Sequence, residues 1–573
     1  MSSMSSAIAP TAAPLRKGTS IVAKLRGAPI YVWLALLVIL PNVLMLAYSF
    51  FRVGDGRIVF EPSLANYERI AANYGVWYLL LRTIAVAAAS AAIAALIAYP
   101  MALYASRLRR GKNWALLLII IPLWISLLMR IFAWRIILGE NGVINSLLIN
   151  LGLISKPIAA LLYSPFAVLL TFVYVSIPFV FVSVFTVVDR IPSSLTQAAG
   201  DCGANSFRAF WTVTWPLSLS GLSIGLSLGF LIAIGDYVTP AIVGGLNGTM
   251  IGTVIAAQFG IAGNWPYGSA LAITLLVFVT AIVAILFATM RIKGSAAGDV
   301  VSDQPIVWPN DGLGAKMRRA GAFIIFCLPF AFLYAPLLLL AVFSLNDSTV
   351  QTLPLSGFTF KWYQGMLQNA AMMAALKQSL MVGFWVLLLS IVVGTSFAVL
   401  IAFARLRFSA TLERLILLPL ALPGVILGLT LVLTFHLLNI PPGFLRLVLG
   451  HSTFVMPVIM SVVIDRLRRL DPALIEASMD LGASPVTTFV RVLMPLVGSA
   501  VFGGALLGFT LSVDEIVVST FLVSDQPTLP VWVWNQMRFG FTPSVNAIFV
   551  CIGLTTFGLV VLSQSLLIRK VKN

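Results

Sequence analysis

Leu195-Thr-Gln-Ala-Ala-Gly-Asp-Cys-Gly-Ala204 returns later in the chain as Leu474-Ile-Glu-Ala-Ser-Met-Asp-Leu-Gly-Ala483. Each copy runs on to a phenylalanine (Phe210, Phe489) and a Pro-Leu pair (Pro216-Leu217, Pro495-Leu496). The offset is 279 residues, and 14 of 42 ungapped positions are identical between Leu195–Asp236 and Leu474–Glu515. Self-similarity at a fixed long offset marks repeated structural units, here two in one chain.

The surroundings of the repeat are apolar. The 573 residues are 60% hydrophobic and 10% charged, against about 25% charged in soluble domains. Many runs exceed the ~20 apolar residues a helix needs to cross a bilayer core, and none alternates as a β-barrel strand does. The expected fold is therefore all-α: a polytopic membrane protein of two homologous six-helix bundles, about twelve spans in all. In the first half the spans fall at roughly 29–51, 80–105, 114–138, 165–188, 217–235 and 268–290. In the second they fall at roughly 320–344, 377–404, 413–436, 448–465, 496–513 and 545–568.

The net charge of +17 is gathered in short loops at alternate ends of these runs: Arg16, Lys17, Lys24 and Arg26; Arg107, Arg109, Arg110 and Lys112; Arg291 and Lys293; Lys316, Arg318 and Arg319; Arg405 and Arg407; Arg466, Arg468 and Arg469; Arg569, Lys570 and Lys572. That is the positive-inside pattern, not a nucleic-acid surface. It places both termini and both copies of the repeat in the cytoplasm. The chain then divides into a tail (1–28), a first six-span domain (29–293), a linker (294–315) rich in Gly, Pro and Asp, and a second six-span domain (316–573). Both ends of the linker are cytoplasmic, so the halves run parallel about an axis along the membrane normal. Cys202, Cys327 and Cys551 are too scattered for a disulfide framework or a metal site.

Each repeat reads as two short helices joined at a glycine. Ser194 and Gln197 suit a capping box, and Asp471-Pro472 an N-cap followed by an N1 proline. Gly203 and Gly482 stop the first helix in the left-handed region. Asn205 and Ser484 start the second helix, and Pro216 and Pro495 break the chain before the next span. Small residues on one face (Ala198, Ala199; Ala477, Ser478) allow close approach of a partner surface.

This pattern resembles the EAA loop of ATP-binding-cassette importer permeases. The resemblance implies that Gln197, Ala198, Ala199 and Gly203, with Glu476, Ala477, Ser478 and Gly482, dock on two ATPase subunits. Glu476 keeps the family's acid and Gln197 does not. No Walker A sequence is present, so ATP and magnesium belong to the partners and this chain carries no cofactor or metal. The first half is similar to PotB-type polyamine permeases in Pro122–Arg130, Leu138–Ser146 and Gly235-Asp-Tyr-Val-Thr-Pro240. The second is similar to PotC-type partners in Gly357–Tyr363, Leu422-Pro-Gly424 and Ser512-Val-Asp-Glu-Ile-Val-Val-Ser519. The resemblance implies a multi-pass inner-membrane subunit that takes a small organic cation, most readily a polyamine, from an extracytoplasmic binding protein. The wider group also serves iron, thiamine and aminoalkylphosphonates. A twelve-span secondary transporter would need coupling groups at mid-membrane, and an enzyme a clustered catalytic set; the spans show neither.

Near the outer mouth, Asp236 aligns with Glu515, and Asp514 precedes it. With Tyr237, Trp265, Trp532 and Trp534 these acids form a candidate cation vestibule, since aromatic faces attract ammonium groups. The alternative is that they cap helix ends or bind the docking protein. Arg130 and Arg135 are expected to pair with Glu140 or another outer acid, the alternative being contact with an anionic substrate, which would favour a phosphonate; Arg82 and Lys377 are expected to snorkel. His436 and His451 read as hydrogen-bonded structural residues. Glycines 221, 225, 229, 504 and 508 at four-residue spacing suit helices meeting at the pseudo-twofold axis.

Overall fold

The computed structural model describes residues 21–108, 111–290, 313–403, 408–471, 473–537, 542–555 and 558. The N-terminal tail to Ser20, Arg109, Arg110, Arg291, Lys293, the linker as far as Gly312, Arg405, Arg407, Pro472 and the end of the last span with Arg569, Lys570 and Lys572 lie outside the described residues, as do the side chains of Lys24, Arg26, Lys316, Arg318 and Arg319. The described chain is helical apart from one two-stranded hairpin, Arg52–Gly54 against Arg57–Val59, and a single bridge between Asn346 and Phe358.

Nine described helices are long and apolar enough to span: Ala28–Ser49, Tyr74–Ser106, Pro165–Val188, Ser206–Gly235 and Trp265–Met290 in the first half; Phe323–Phe343, Ala370–Phe403, Phe444–Leu467 and Val486–Val513 in the second. The third and ninth spans are broken. Lys112–Leu123 and Leu127–Asn150 meet at 83°, and Ser409–Ala421 and Gly424–Leu437 meet at 106°. Each break sits at a proline-containing turn, Pro122 in one half and Pro423 in the other, where the missing N–H and the restricted preceding residue end a helix. The twelfth span begins as Ser544–Thr555.

The first span of each half crosses to the other half. Ile30, Leu34 and Val38 are buried in the core of the second half, with Trp33 edge-on to Phe397 at 6.3 Å between ring centroids. The seventh span reciprocates. Leu333, Leu337 and Leu340 join the core of the first half, and Tyr174 donates to the Leu333 carbonyl at 2.8 Å. Tyr334 donates to the Leu118 carbonyl at 2.7 Å, and Phe332 lies against Trp134.

The glycine rows have a different partner from the one their spacing suggested. A Cβ on Gly221 would lie 2.7 Å from the Ser183 carbonyl oxygen, and one on Gly225 would lie 3.0 Å from Val180 Cα. On Gly508 it would lie 2.7 Å from Val455 Cγ1. The fifth and eleventh spans are thus seated on the fourth and tenth spans of their own halves, not on each other across the axis. Gly225→Leu forces a side chain into this contact; overpacking costs about 1–3 kcal/mol, and the expected result is a lower melting temperature of the detergent-solubilised chain.

Pro216 and Pro495 do not break the chain either. A π-helical turn precedes each (Phe210–Thr214, Phe489–Leu493), and the helix continues through the proline near the first position of the next segment. The wider turn absorbs the N–H the proline lacks. The second short helix of each repeat and the span that follows it are therefore one continuous rod, Ser206–Gly235 in the first half, about 45 Å long at 1.5 Å per residue.

Candidate functional site: two docking helices and a seal at the opposite end

At one end of the bundle stand the repeated helix pairs, Ser193–Asp201 with Ser206–Ala209, and Ala473–Asp480 with Pro485–Thr488. Gly203 and Gly482 have φ of 83° and 84°, the left-handed C′ conformation expected of them. The amides of Ala204 and Ala483 close back on Ala199 and Ser478, satisfying carbonyls the helix leaves open. Asn205 caps the next helix by accepting from the Arg208 amide at 2.8 Å, and Ser484 accepts from Thr487. Asp471 accepts from the Ala473 amide at 2.9 Å. The capping box is not formed: Ser194 lies inside its helix, which starts after Pro192 with no side-chain cap. In the second copy Ser478 and Thr488 tie the two helices by a hydroxyl pair at 3.0 Å; alanines 199 and 209 stand at those places in the first.

Gln197, Ala198, Gly203, Glu476, Ala477 and Gly482 are exposed, and Ala199 and Ser478 half-buried. Around them lie apolar residues matched between the copies at the repeat offset: Leu195 and Leu474, Phe207 and Val486, Trp211 and Val490, all exposed, with Phe207 at 73% and Val486 at 71%. Large apolar side chains in a contiguous exposed patch mark an interaction surface. The sequence reading missed these three pairs. Their signal was available, since a hydrophobic residue repeated on both copies of a polar loop has no core to enter.

An ion pair braces each repeated loop at its root. Lys112 pairs with Asp189 in the first half, and Arg468 with Glu413 at 2.6 Å in the second. Asp189 and Arg468 stand at the same place in the repeat, so the braces correspond with their polarity reversed.

At the other end of the fifth and eleventh spans the halves close on each other. Gly235 packs against the break of the ninth span, where a Cβ would lie 2.8 Å from Pro423 Cα and 2.9 Å from the Gly424 amide nitrogen. Asp514 holds the place corresponding to Gly235 and meets the break of the third span. Its Oδ2 accepts from the Leu127 amide at 2.8 Å, a carboxylate at a helix N-terminus. Arg130, buried one turn further on, lies within electrostatic range of it. Tyr237 faces Phe521 at 5.5 Å, and Trp265 meets His436 edge-on at 5.4 Å. Arg135 donates to the Met537 carbonyl at 3.4 Å.

The structure thus separates the predicted vestibule residues. Asp236 is buried and tied within its own turn, accepting from the amides of Val238 (2.7 Å) and Thr239 (3.1 Å) and from the Thr239 hydroxyl. Glu515 accepts from the Val518 amide at 2.8 Å. Tyr237, Trp532 and Trp534 are buried in the core and Trp265 is half-buried, so no open vestibule joins them in this conformation. Of the three acids only Asp514 reaches across to the other half. No ion pair involves Arg130, Arg135 or Glu140 among the described residues. Arg82 is not a free snorkel: its guanidinium donates to the carbonyls of Asn247 and Thr249. Lys377 lies in an apolar surface groove beside Trp385. His451 is buried between the hydroxyls of Ser512 (2.9 Å) and Ser519 (2.8 Å). No cluster of metal-ligating side chains occurs among the described residues.

Two exposed repeated helix pairs at one end and a closed contact between the halves at the other, joined by long continuous helices, are the layout of a membrane permease, and the comparisons agree. Residues 94–292 and 390–569 each match the family of binding-protein-dependent transport system inner membrane components. The chain belongs to that family, the membrane subunits of ATP-binding-cassette importers. It is 32% identical over 266 residues to the spermidine/putrescine transport system permease protein PotB of Haemophilus influenzae, covering 46% of this chain and 92% of that one. It is 37% identical over 240 residues to the putrescine permease PotI of Escherichia coli K12 (40% and 85%). To PotC of Haemophilus influenzae it is 32% identical over 255 residues (44% and 97%). Each relative spans less than half of this chain, as expected where one polypeptide carries two permease domains.

Proposed function

We propose that this chain is the complete membrane pathway of an importer for an aliphatic polyamine such as putrescine or spermidine, with both halves supplied by one polypeptide. The observation that carries the reading is the pair of exposed helices around Ala198 and Ala477, each linked through one left-handed glycine turn to a helix that runs on as a span ending in the inter-half seal. Two ATPase subunits, with ATP and magnesium, seat on the helices around Ala198 and Ala477 at the cytoplasmic face. Their closure turns the rods and parts Gly235 from Pro423 and Asp514 from Leu127. A loaded binding protein docks at that opposite, extracytoplasmic end. Both termini are cytoplasmic, in an inner membrane. The named substrates of the relatives support the polyamine class.

The test joins a ligand screen on the cognate binding protein, by thermal shift, with uptake by the reconstituted complex in vesicles. Polyamines are expected to raise the melting temperature and to accumulate only with ATP and both partners. Stabilisation by ferric iron, thiamine or aminoethylphosphonate with none by polyamines overturns the substrate. Uphill accumulation by the lone chain under an ion gradient overturns the machine.

A further inference from the structure

Beside the seal lies a cavity of about 280 Å³ lined by Met366, Leu376, Phe509, Thr510, Phe549 and Cys551, with Ser126 of the first half and Asp514 at its polar end. Apart from Thr510 and Thr555 the rest of the lining is apolar. Asp514 uses one oxygen on Leu127; Oδ1 is buried with the Ser126 hydroxyl as its one neighbouring polar group, the two falling short of a well-formed hydrogen bond, and both residues line the cavity. A buried carboxylate oxygen without a donor is costly, and charge at membrane depth faces a cavity or a counter-charge. A largely apolar, partly open cleft with a buried carboxylate oxygen and a hydroxyl at its polar end matches a primary ammonium on a methylene chain. The ammonium supplies up to three donors, to Oδ1 and the Ser126 hydroxyl, and the chain lies along Phe509 and Phe549. Arg130 already shares the carboxylate's charge, so an incoming amine competes with it. That keeps the site weak, as passage requires: binding favourable enough to enter and loose enough to leave.

We infer that Asp514, Ser126 and this cavity form a transit site for one terminal ammonium of the transported amine. The inference rests on the polyamine reading above and assigns the asymmetry of the seal a purpose. Where the first half has Gly235, which can only block, the second has an acid that blocks while shut and receives the cargo when Leu127 withdraws.

Cys551 provides the readout. In the assembled importer, in phosphatidylcholine nanodiscs, Cys202→Ser and Cys327→Ser leave Cys551 as the chain's one thiol for N-ethylmaleimide. At matched ionic strength, 1,4-diaminobutane is expected to slow its modification at least threefold and sodium chloride to leave it unchanged. Asp514→Asn is expected to remove the protection. Thr510→Trp, which fills the cavity and keeps the carboxylate, is expected to remove it too, which covers a poorly folding Asn variant. No protection in the otherwise unsubstituted chain, or equal protection in both variants, overturns the site. Slowing that tracks added phosphatidylethanolamine and not the diamine also overturns it, the occupant then being a lipid amine. Diamine uptake is measured in parallel. Uptake without protection sinks the site and leaves the transport reading standing, whereas protection without uptake upholds the site and sinks the substrate.

Discussion

With tryptophan in place of both Ala198 and Ala477, ATP-dependent uptake falls by more than about thirtyfold while the membrane bundle melts as before. Both alanines are exposed on short helices whose neighbours are already apolar and unburied, so an added indole meets nothing in the chain itself. Any effect must come from a partner seated there. Loss of one well-packed interface contact costs about 2 kcal/mol or more, close to a thirtyfold change in binding, and two sites are altered together. Co-purification of the ATPase subunits falls in step. Unimpaired uptake in the double variant removes the docking assignment. Glu476→Gln gives the second copy the side chain the first carries at Gln197, and a much smaller loss is expected from it.

Gly235→Val has the opposite signature: a complex that hydrolyses ATP without being asked. The added Cβ would sit 2.8 Å from Pro423 Cα, and both atoms belong to helix ends that cannot turn aside. Overpacking of about 1–3 kcal/mol falls on the sealed state alone, so the balance between sealed and parted states moves by roughly 5- to 150-fold. ATPase activity in the absence of binding protein rises accordingly, and coupled uptake drops. Gly221→Val, equally crowded but within one half, destabilises the fold without this release of hydrolysis. Basal ATPase activity unchanged in a folded Gly235→Val complex means that the contact is not part of the switch.

Much of the architecture was legible because it is written in repeated chemistry. Apolar runs long enough to span and a duplicated helix-glycine-helix give the span pattern and the paired short helices, down to the left-handed glycines 203 and 482. Choice of partner was not legible. Small-residue spacing at Gly221, Gly225 and Gly229 states that some backbone comes close, and is silent on which one; the fourth span won over the axis. The exchange of first spans left no trace for the same reason, since Ile30, Leu34 and Val38 would look alike against any apolar wall. The acids illustrate a missed local signal. Asp236-Tyr-Val-Thr239 is an aspartate followed three residues on by a threonine, a pattern in which the side chain commonly caps its own turn, and it does so here. Asp514 lacks such a neighbour, and it is the one that reaches the other half.

The crossed first spans bear on how this molecule is made. The ribosome releases the first bundle into the membrane with one wall missing, and that wall, Phe323–Phe343, is synthesised only after the whole of that bundle. Meanwhile the Ile30–Val38 part of the first span waits for neighbours not yet translated. Neither bundle is a finished object until both exist, so a break anywhere in the connecting stretch exposes unfinished intermediates to membrane proteases. Carrying both on one polypeptide fixes their ratio at one to one and keeps that waiting time short.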